Sequence, residues 1–179
     1  INELEAANVD INVLDDNNLV FFGLSYEDSL SYQDMLDVTA FHKSLKKSDY
    51  VKRVFSLVND RQIINTGLFP ISKKVLNVSD KESYIKSFKK IDTNKNNFIS
   101  SDGKKLLFLV ENVPDLSKDD SQIFIKSLYE TDLNENMSEV FISGRSPSEL
   151  YFGKKVIQEF IILTLVSGFL CFLFLLFIT

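Results

Sequence analysis

Asp92, Asn94 and Asn96 alternate in the stretch 92–100 (DTNKNNFIS), the spacing at which a calcium loop of the EF-hand type offers its first three oxygen side chains. Ile99 stands at the eighth position, and Tyr84, Phe88 and Ile91 mark a helix leading in, as such a loop requires. Two positions oppose calcium. The sixth, a sharp turn that wants glycine, is Asn97, which tolerates the left-handed backbone. The twelfth, where a bidentate glutamate should close the shell, is Gly103. The stretch therefore reads as an Asn-rich polar turn entering a strand.

The remaining reactive side chains are isolated from one another. His42 is the only histidine and Cys171 the only cysteine, so neither a zinc site nor a nucleophile–base pair has its partners. His42 is expected as a partly exposed helix residue beside an apolar face. Asp115, Asp119 and Asp120 cluster where a helix begins, and its dipole favours carboxylates there. Glu159 sits one residue before a long apolar run, as a gate or proton-access group would. Its reading is interfacial, with the charge held in headgroup water beside Lys154 and Lys155. No enzyme, cofactor or metal ion is expected from these residues.

The apolar run at 160–179 (FIILTLVSGFLCFLFLLFIT) carries no charge, and as a helix it covers roughly 30 Å, the hydrocarbon thickness of a bilayer. Thr164, Ser167 and Thr179 are its polar residues, and they can bond back to their own helix. It reads as a membrane span. Gly153 and Gly168 are too far apart for a GxxxG pair. Ile1 is not an initiator methionine, and no Lys or Arg follows the run. The expectation is a piece of a longer membrane protein, with a mature tail-anchored protein as the alternative. The net charge of −5, with lysines scattered among acids, excludes the basic stripe of a nucleic-acid binder.

Six elements, besides a short helix in an irregular insertion, are expected ahead of the helix that carries that span. Residues 19–26 (LVFFGLSY) form a strand, and 32–47 a helix with Met35, Val38, Phe41 and Leu45 on one face. Residues 50–59 (YVKRVFSLVN) form a second strand. An irregular insertion occupies about 60–97, with a short helix at 81–91. Ser101-Asp102-Gly103-Lys104 turns into a strand at 105–113, stopped by Pro114. Ser117 with Asp120 resembles a capping box for a helix facing inward through Phe124, Ile125 and Leu128. A strand at 139–143 ends at Gly144, and Ser146-Pro147-Ser148-Glu149 caps a helix that continues into the membrane.

The domain plan is thus a linker at 1–18, an α+β domain at 19–145 and a long helix at 146–179, membrane-spanning from about 160. The order strand, helix, strand, strand, helix, strand is the ferredoxin-like split βαβ (βαββαβ) arrangement. The first and third strands are apolar on both faces (Leu19 with Val20, Phe21 with Phe22, and Leu106 to Leu109). A sheet covered on one side should alternate, so the second face is expected against another domain or subunit.

Residues 50–59, the turn 101–104, and Phe141-Ile142-Ser143-Gly144 followed by Glu159 and an apolar helix carry a family likeness. The first resembles the "V-x-x-V-x-S-L-x-N" strand of the porter domain in resistance–nodulation–division (RND) transporters, of the MMPL exporter type. The second resembles that domain's central hairpin, and the third its exit into the second membrane helix. The resemblance implies a proton-driven exporter of hydrophobic or amphiphilic molecules in a bacterial inner membrane, with 1–158 on the extracytoplasmic, periplasmic side. Its partners would be the lipid bilayer, the remaining domains and helices of the transporter, further copies in an oligomer, and the substrate. The family's proton-relay carboxylates belong to other helices, so no residue here inherits a catalytic role and none is assigned to substrate. A complete membrane-anchored binding or sensor domain is the rival, with calcium binding at 92–103 as a weaker third.

Overall fold

The structure, a computed structural model, describes residues 18–65 and 70–178. The linker expected at 1–18 lies, but for Asn18, outside the described residues. Four antiparallel strands form the main sheet in the order β2-β5-β1-β6. These are β1 (Leu19–Tyr26), β2 (Val51–Ser56), β5 (Lys105–Asn112) and β6 (Met137–Gly144). The two central strands, β1 and β5, pair from Leu19↔Glu111 to Ser25↔Lys105. Helix α1 (Tyr32–Lys47) joins β1 to β2, and α3 (Lys118–Tyr129) joins β5 to β6. Each helix thus joins two parallel strands that have a third strand between them.

The core follows from strand alternation. Val20, Phe22, Leu24 and Tyr26 of β1 and Leu106, Phe108 and Val110 of β5 point to one face and are buried. The register of β2 shifts between Val51 and Arg53, which brings both Val51 and Val54 to that face. Met35, Val38 and Leu45 of α1 and Phe124, Ile125 and Leu128 of α3 cover it. Phe22, Phe41 and Phe108 interlock with ring centroids 5.4–5.7 Å apart. Full burial of Phe22 and of Phe108 contributes about 1.5–3 kcal/mol each, and the half-buried Phe41 less.

Local chemistry sets the helix starts. Ser31 Oγ accepts from the Asp34 N–H at 3.2 Å while Ser31 N–H donates to the Asp34 carboxylate at 2.8 Å, a reciprocal capping box. Burial alone would raise the Asp34 carboxyl, but hydrogen bonds from Ser31, Asn136 and Asn134 outweigh it and hold the pKa below its ordinary value. At α3 the Ser117 hydroxyl accepts from the Asp120 N–H at 3.1 Å and donates to the Asp120 carboxylate at 2.6 Å. The cap expected at Ser117 is present, although Asp120 bonds the hydroxyl instead of the backbone.

The stretch expected as irregular holds a separate two-stranded ribbon, β3 (Arg61–Asn65) with β4 (Pro70–Lys74), then α2 (Lys81–Phe88). Asp80 caps α2, accepting from the Ser83 N–H at 2.8 Å. Tyr84 pins the helix to the core by donating its hydroxyl to the Leu30 carbonyl. β6 is longer than expected, and Gly144 leads directly into α4 (Arg145–Ile178). The expected cap at Ser146 is not what forms. Ser146 lies in the first turn and bonds the Ser121 hydroxyl of α3, while Ser148 donates back to the Gly144 carbonyl at 2.7 Å and Glu149 pairs with Arg145 at 2.7 Å.

Candidate functional site

Two surfaces stand out: the second face of the sheet and the length of α4. Side chains at odd positions of β1 and β5 point away from the helices. Phe21 is 43% and Phe141 44% exposed, against 0% for Phe22 and Phe108 on the covered face. The pairing sets Phe55, Leu109, Phe21 and Ser143 in one row and Leu107, Gly23 and Phe141 in the next. The expectation that β1 and β5 are apolar on both faces is met in the pattern, with one face closed and the other half open. Lys105 lies over the Phe141 ring at 5.7 Å and Arg53 over Phe55 at 6.0 Å, so cations rim the apolar rows.

Glu111 shares that open face but is only 1% exposed. Lys52 donates to one carboxylate oxygen at 2.9 Å and Arg53 to the other. The Arg53 hydrogen bond is the main cause of a lowered Glu111 pKa; burial opposes it and Lys52 adds to it. The carboxylate is therefore charged, and it ties the edge strand β2 to the central strand β5.

α4 has 34 residues, about 51 Å of helix at 1.5 Å per residue. Its long apolar stretch is unburied within the domain, with Phe160, Leu163, Leu165, Phe169 and Phe174 each more than 60% exposed. A helix so apolar on all sides has no polar face for water. Thr164 donates to the Phe160 carbonyl at 2.8 Å, so its hydroxyl is satisfied within the helix. Below the domain Tyr151, Phe152, Val156 and Ile157 are exposed, with Lys155 over the Tyr151 ring at 5.9 Å. Aromatic and lysine side chains just ahead of an apolar span match an interfacial belt. Glu159 is exposed there, and Cys171 is exposed within the span. Where α4 leaves the domain, a groove of about 500 Å³ runs between α3 and α4, with Ile123, Tyr129, Leu150 and Tyr151 on its walls.

The loop at 92–100 is satisfied by its own backbone. Asp92 accepts from the Asn94 N–H at 3.3 Å and pairs with Lys95 at 3.6 Å, while Asn96 accepts from the Phe98 N–H at 2.9 Å and donates to Asp60 at 2.8 Å. These are Asx turns. Gly103, at the position a closing glutamate would need, has φ +69 and makes the turn into β5 instead. Among the described residues no group of three or more His, Cys, Asp or Glu could hold a metal ion. Asp119 and Asp120 occupy the first turn of α3, and Asp115 precedes it with φ +63.

His42 corrects an expectation. It is buried, 6% exposed, between Val38 and Leu45 on the inner face of α1, and Phe41 is the half-buried neighbour. Its Nδ1 lies 2.9 Å from the Ser56 hydroxyl of β2. Burial is the main cause of a lowered imidazole pKa, with the charges of Lys46 and Lys74 adding to it. The ring and the Ser56 hydroxyl share this hydrogen bond, and Ser56 Oγ also accepts from the Val58 N–H at 3.2 Å. Ser56 is 1% exposed, so no substrate carbonyl can reach it, and this pair pins α1 to β2. The spacing 35, 38, 42, 45 was the available signal; the imidazole's polarity argued the other way.

No protein-family model and no curated protein matches this chain.

Proposed function

We propose that the chain forms a porter domain and the following membrane helix of an RND-type exporter for hydrophobic or amphiphilic molecules, driven by the proton gradient. The observation that carries this reading is the junction at Gly144, where an outer strand of the sheet runs without a loop into a 34-residue helix that is apolar from Phe160 onward. Movement of such a helix is transmitted to the sheet through backbone, as a rocking transporter needs. Three further features support it. The strand order β2-β5-β1-β6 matches the ferredoxin-like split βαβ order. The open face bearing Phe21, Leu107, Leu109 and Phe141 suits a second domain of the same transporter. The apolar groove between α3 and α4 lies where a molecule leaving the bilayer would first meet the domain.

In this reading the domain faces the periplasm, and the chain's own residues contribute shape and mechanical coupling, with proton transfer belonging to other helices. The test is the reading frame beyond Thr179 together with export by its full product. The reading expects further apolar spans, a second domain of the same strand–helix order, and loss of export when residues 19–144 are deleted. A stop codon directly after Thr179, or export indifferent to that deletion, contradicts it and favours a membrane-anchored binding or sensor domain.

A further inference from the structure

A second concavity, of about 370 Å³, opens between β4 and α2 and shares no lining residue with the groove between α3 and α4. Lys73 and Lys74 of β4, Lys86 of α2 and Lys90 just beyond it line it together with Asn77 and Ser83, and among the described residues no carboxylate is in the lining. The chain as a whole has 25 acids against 20 Lys and Arg, so four cations around one hollow without an acid run against the overall balance. None of the four is ion-paired among the described residues. Glu82, exposed in the first turn of α2, stands four residues before Lys86 but is not among the lining residues, and three other nearby acids are engaged elsewhere. Asp80 accepts from Ser83 N–H and the Ser79 hydroxyl, Asp60 accepts from Asn96, and Asp92 pairs with Lys95.

Each lysine has a local justification. Lys86 and Lys90 complement the negative end of a helix dipole, and lysines on a short ribbon discourage edge pairing. Neither reason turns all four toward the same hollow, where their like charges repel one another. An anion in the hollow removes that repulsion. The positive field also reaches the core, where Lys74 is one of the charges depressing the His42 pKa.

We propose that the hollow between β4 and α2 binds a multiply charged phosphate group, free or as the headgroup of an amphiphile. Several compact ammonium charges match the delocalised charge of a diphosphate, and Asn77 and Ser83 supply neutral hydrogen-bonding groups. The volume falls in the range of small-molecule sites. This goes beyond the exporter reading and does not rest on it.

The test uses the full chain in nanodiscs of neutral phosphatidylcholine, titrated calorimetrically at low salt with inorganic pyrophosphate and, separately, with short-chain phosphatidic acid. The expected result is saturable binding of at least one probe, weakened by salt. Lys73→Gln/Lys86→Gln should weaken it by about tenfold or more, whereas Lys118→Gln at the start of α3 should leave it unchanged. Lys74→Gln/Lys90→Gln serves as a second variant, and far-UV circular dichroism verifies the fold of each. Pyrophosphate binding lost in these variants supports a free anion; binding of phosphatidic acid alone, lost in the same variants, supports a headgroup. No saturable binding of either probe up to about 10 mM, or binding indifferent to both lysine pairs, overturns the proposal.

Discussion

Replacing Gly144 by alanine tests how the sheet hands over to the long helix α4. Gly144 has φ +139, a backbone region nearly closed to residues with a Cβ. A Cβ built there meets the Leu19 carbonyl oxygen at 2.5 Å and the Val20 Cα at 3.3 Å. Both obstacles are backbone of the central strand β1, so no side-chain rotation relieves them. The unfavourable φ costs about 1–3 kcal/mol, and overfilling a packed site costs about 1–3 kcal/mol. One backbone movement relieves part of each, so the combined expectation is about 3 kcal/mol. Gly153, further along α4, has open space where a Cβ would stand, with nothing within 4 Å. Gly153→Ala should therefore be neutral or stabilising by up to about 1 kcal/mol, through helix propensity alone. Urea unfolding of the chain in mild detergent, followed by tyrosine fluorescence and far-UV circular dichroism, measures both. A Gly144→Ala midpoint matching the parent, or a larger loss in Gly153→Ala than in Gly144→Ala, would refute the reasoning.

Three other perturbations follow from the same geometry. His42 has a pKa below its ordinary 6.5 in the fold, so the unfolded chain takes up the proton first. Its stabilising contribution is full above about 6.5 and is lost as pH falls toward the folded value; His42→Gln should flatten that part of a stability–pH profile. Glu111→Gln leaves Lys52 and Arg53 without their carboxylate, but those cations are 47% and 37% exposed and keep water. The expected loss is therefore about 1–3 kcal/mol by urea titration, below the figure for a fully buried pair. Phe21→Thr/Phe141→Thr removes rings already 43% and 44% exposed, so stability should fall by no more than about 2 kcal/mol. Export by the full-length product should fail at normal membrane levels, and unchanged export would mean that nothing functional covers that face.

The main sheet was legible because its residues follow simple physical patterns. β1 and β5 are rich in aromatic and branched residues, the spacing of Met35, Val38, Phe41 and Leu45 marks the first helix, Ser117-Asp120 announces the next, and Gly103 marks the turn before β5. The ribbon β3–β4 was not legible. Arg-Gln-Ile-Ile-Asn and Pro-Ile-Ser-Lys-Lys each offer at most two apolar residues and no alternation, and among the described residues they pair only with each other. The start of α4 departs from expectation because tertiary packing overrides a local signal. Ser146-Pro147-Ser148-Glu149 has the composition of a cap, but packing against α3 draws Ser146 to Ser121 and the helix begins at Arg145. His42 departs from the expectation that a polar ring faces water, because one well-placed hydroxyl, that of Ser56, is enough to bury it. The lysine-lined hollow had no sequence signal, since β4 and α2 come together only in the fold.

The most direct test of the account is the placement of this domain relative to the bilayer. Cys171 is the only native thiol and lies within the apolar stretch of α4, while Ser138 is exposed at the start of β6. In spheroplasts treated with a membrane-impermeant maleimide, the native chain should remain unlabelled at Cys171. Ser138→Cys in a Cys171→Ser background should label without lysis. Ready labelling of Cys171, or labelling of Ser138→Cys only after the membrane is opened, would contradict a periplasmic porter domain carried on a spanning helix.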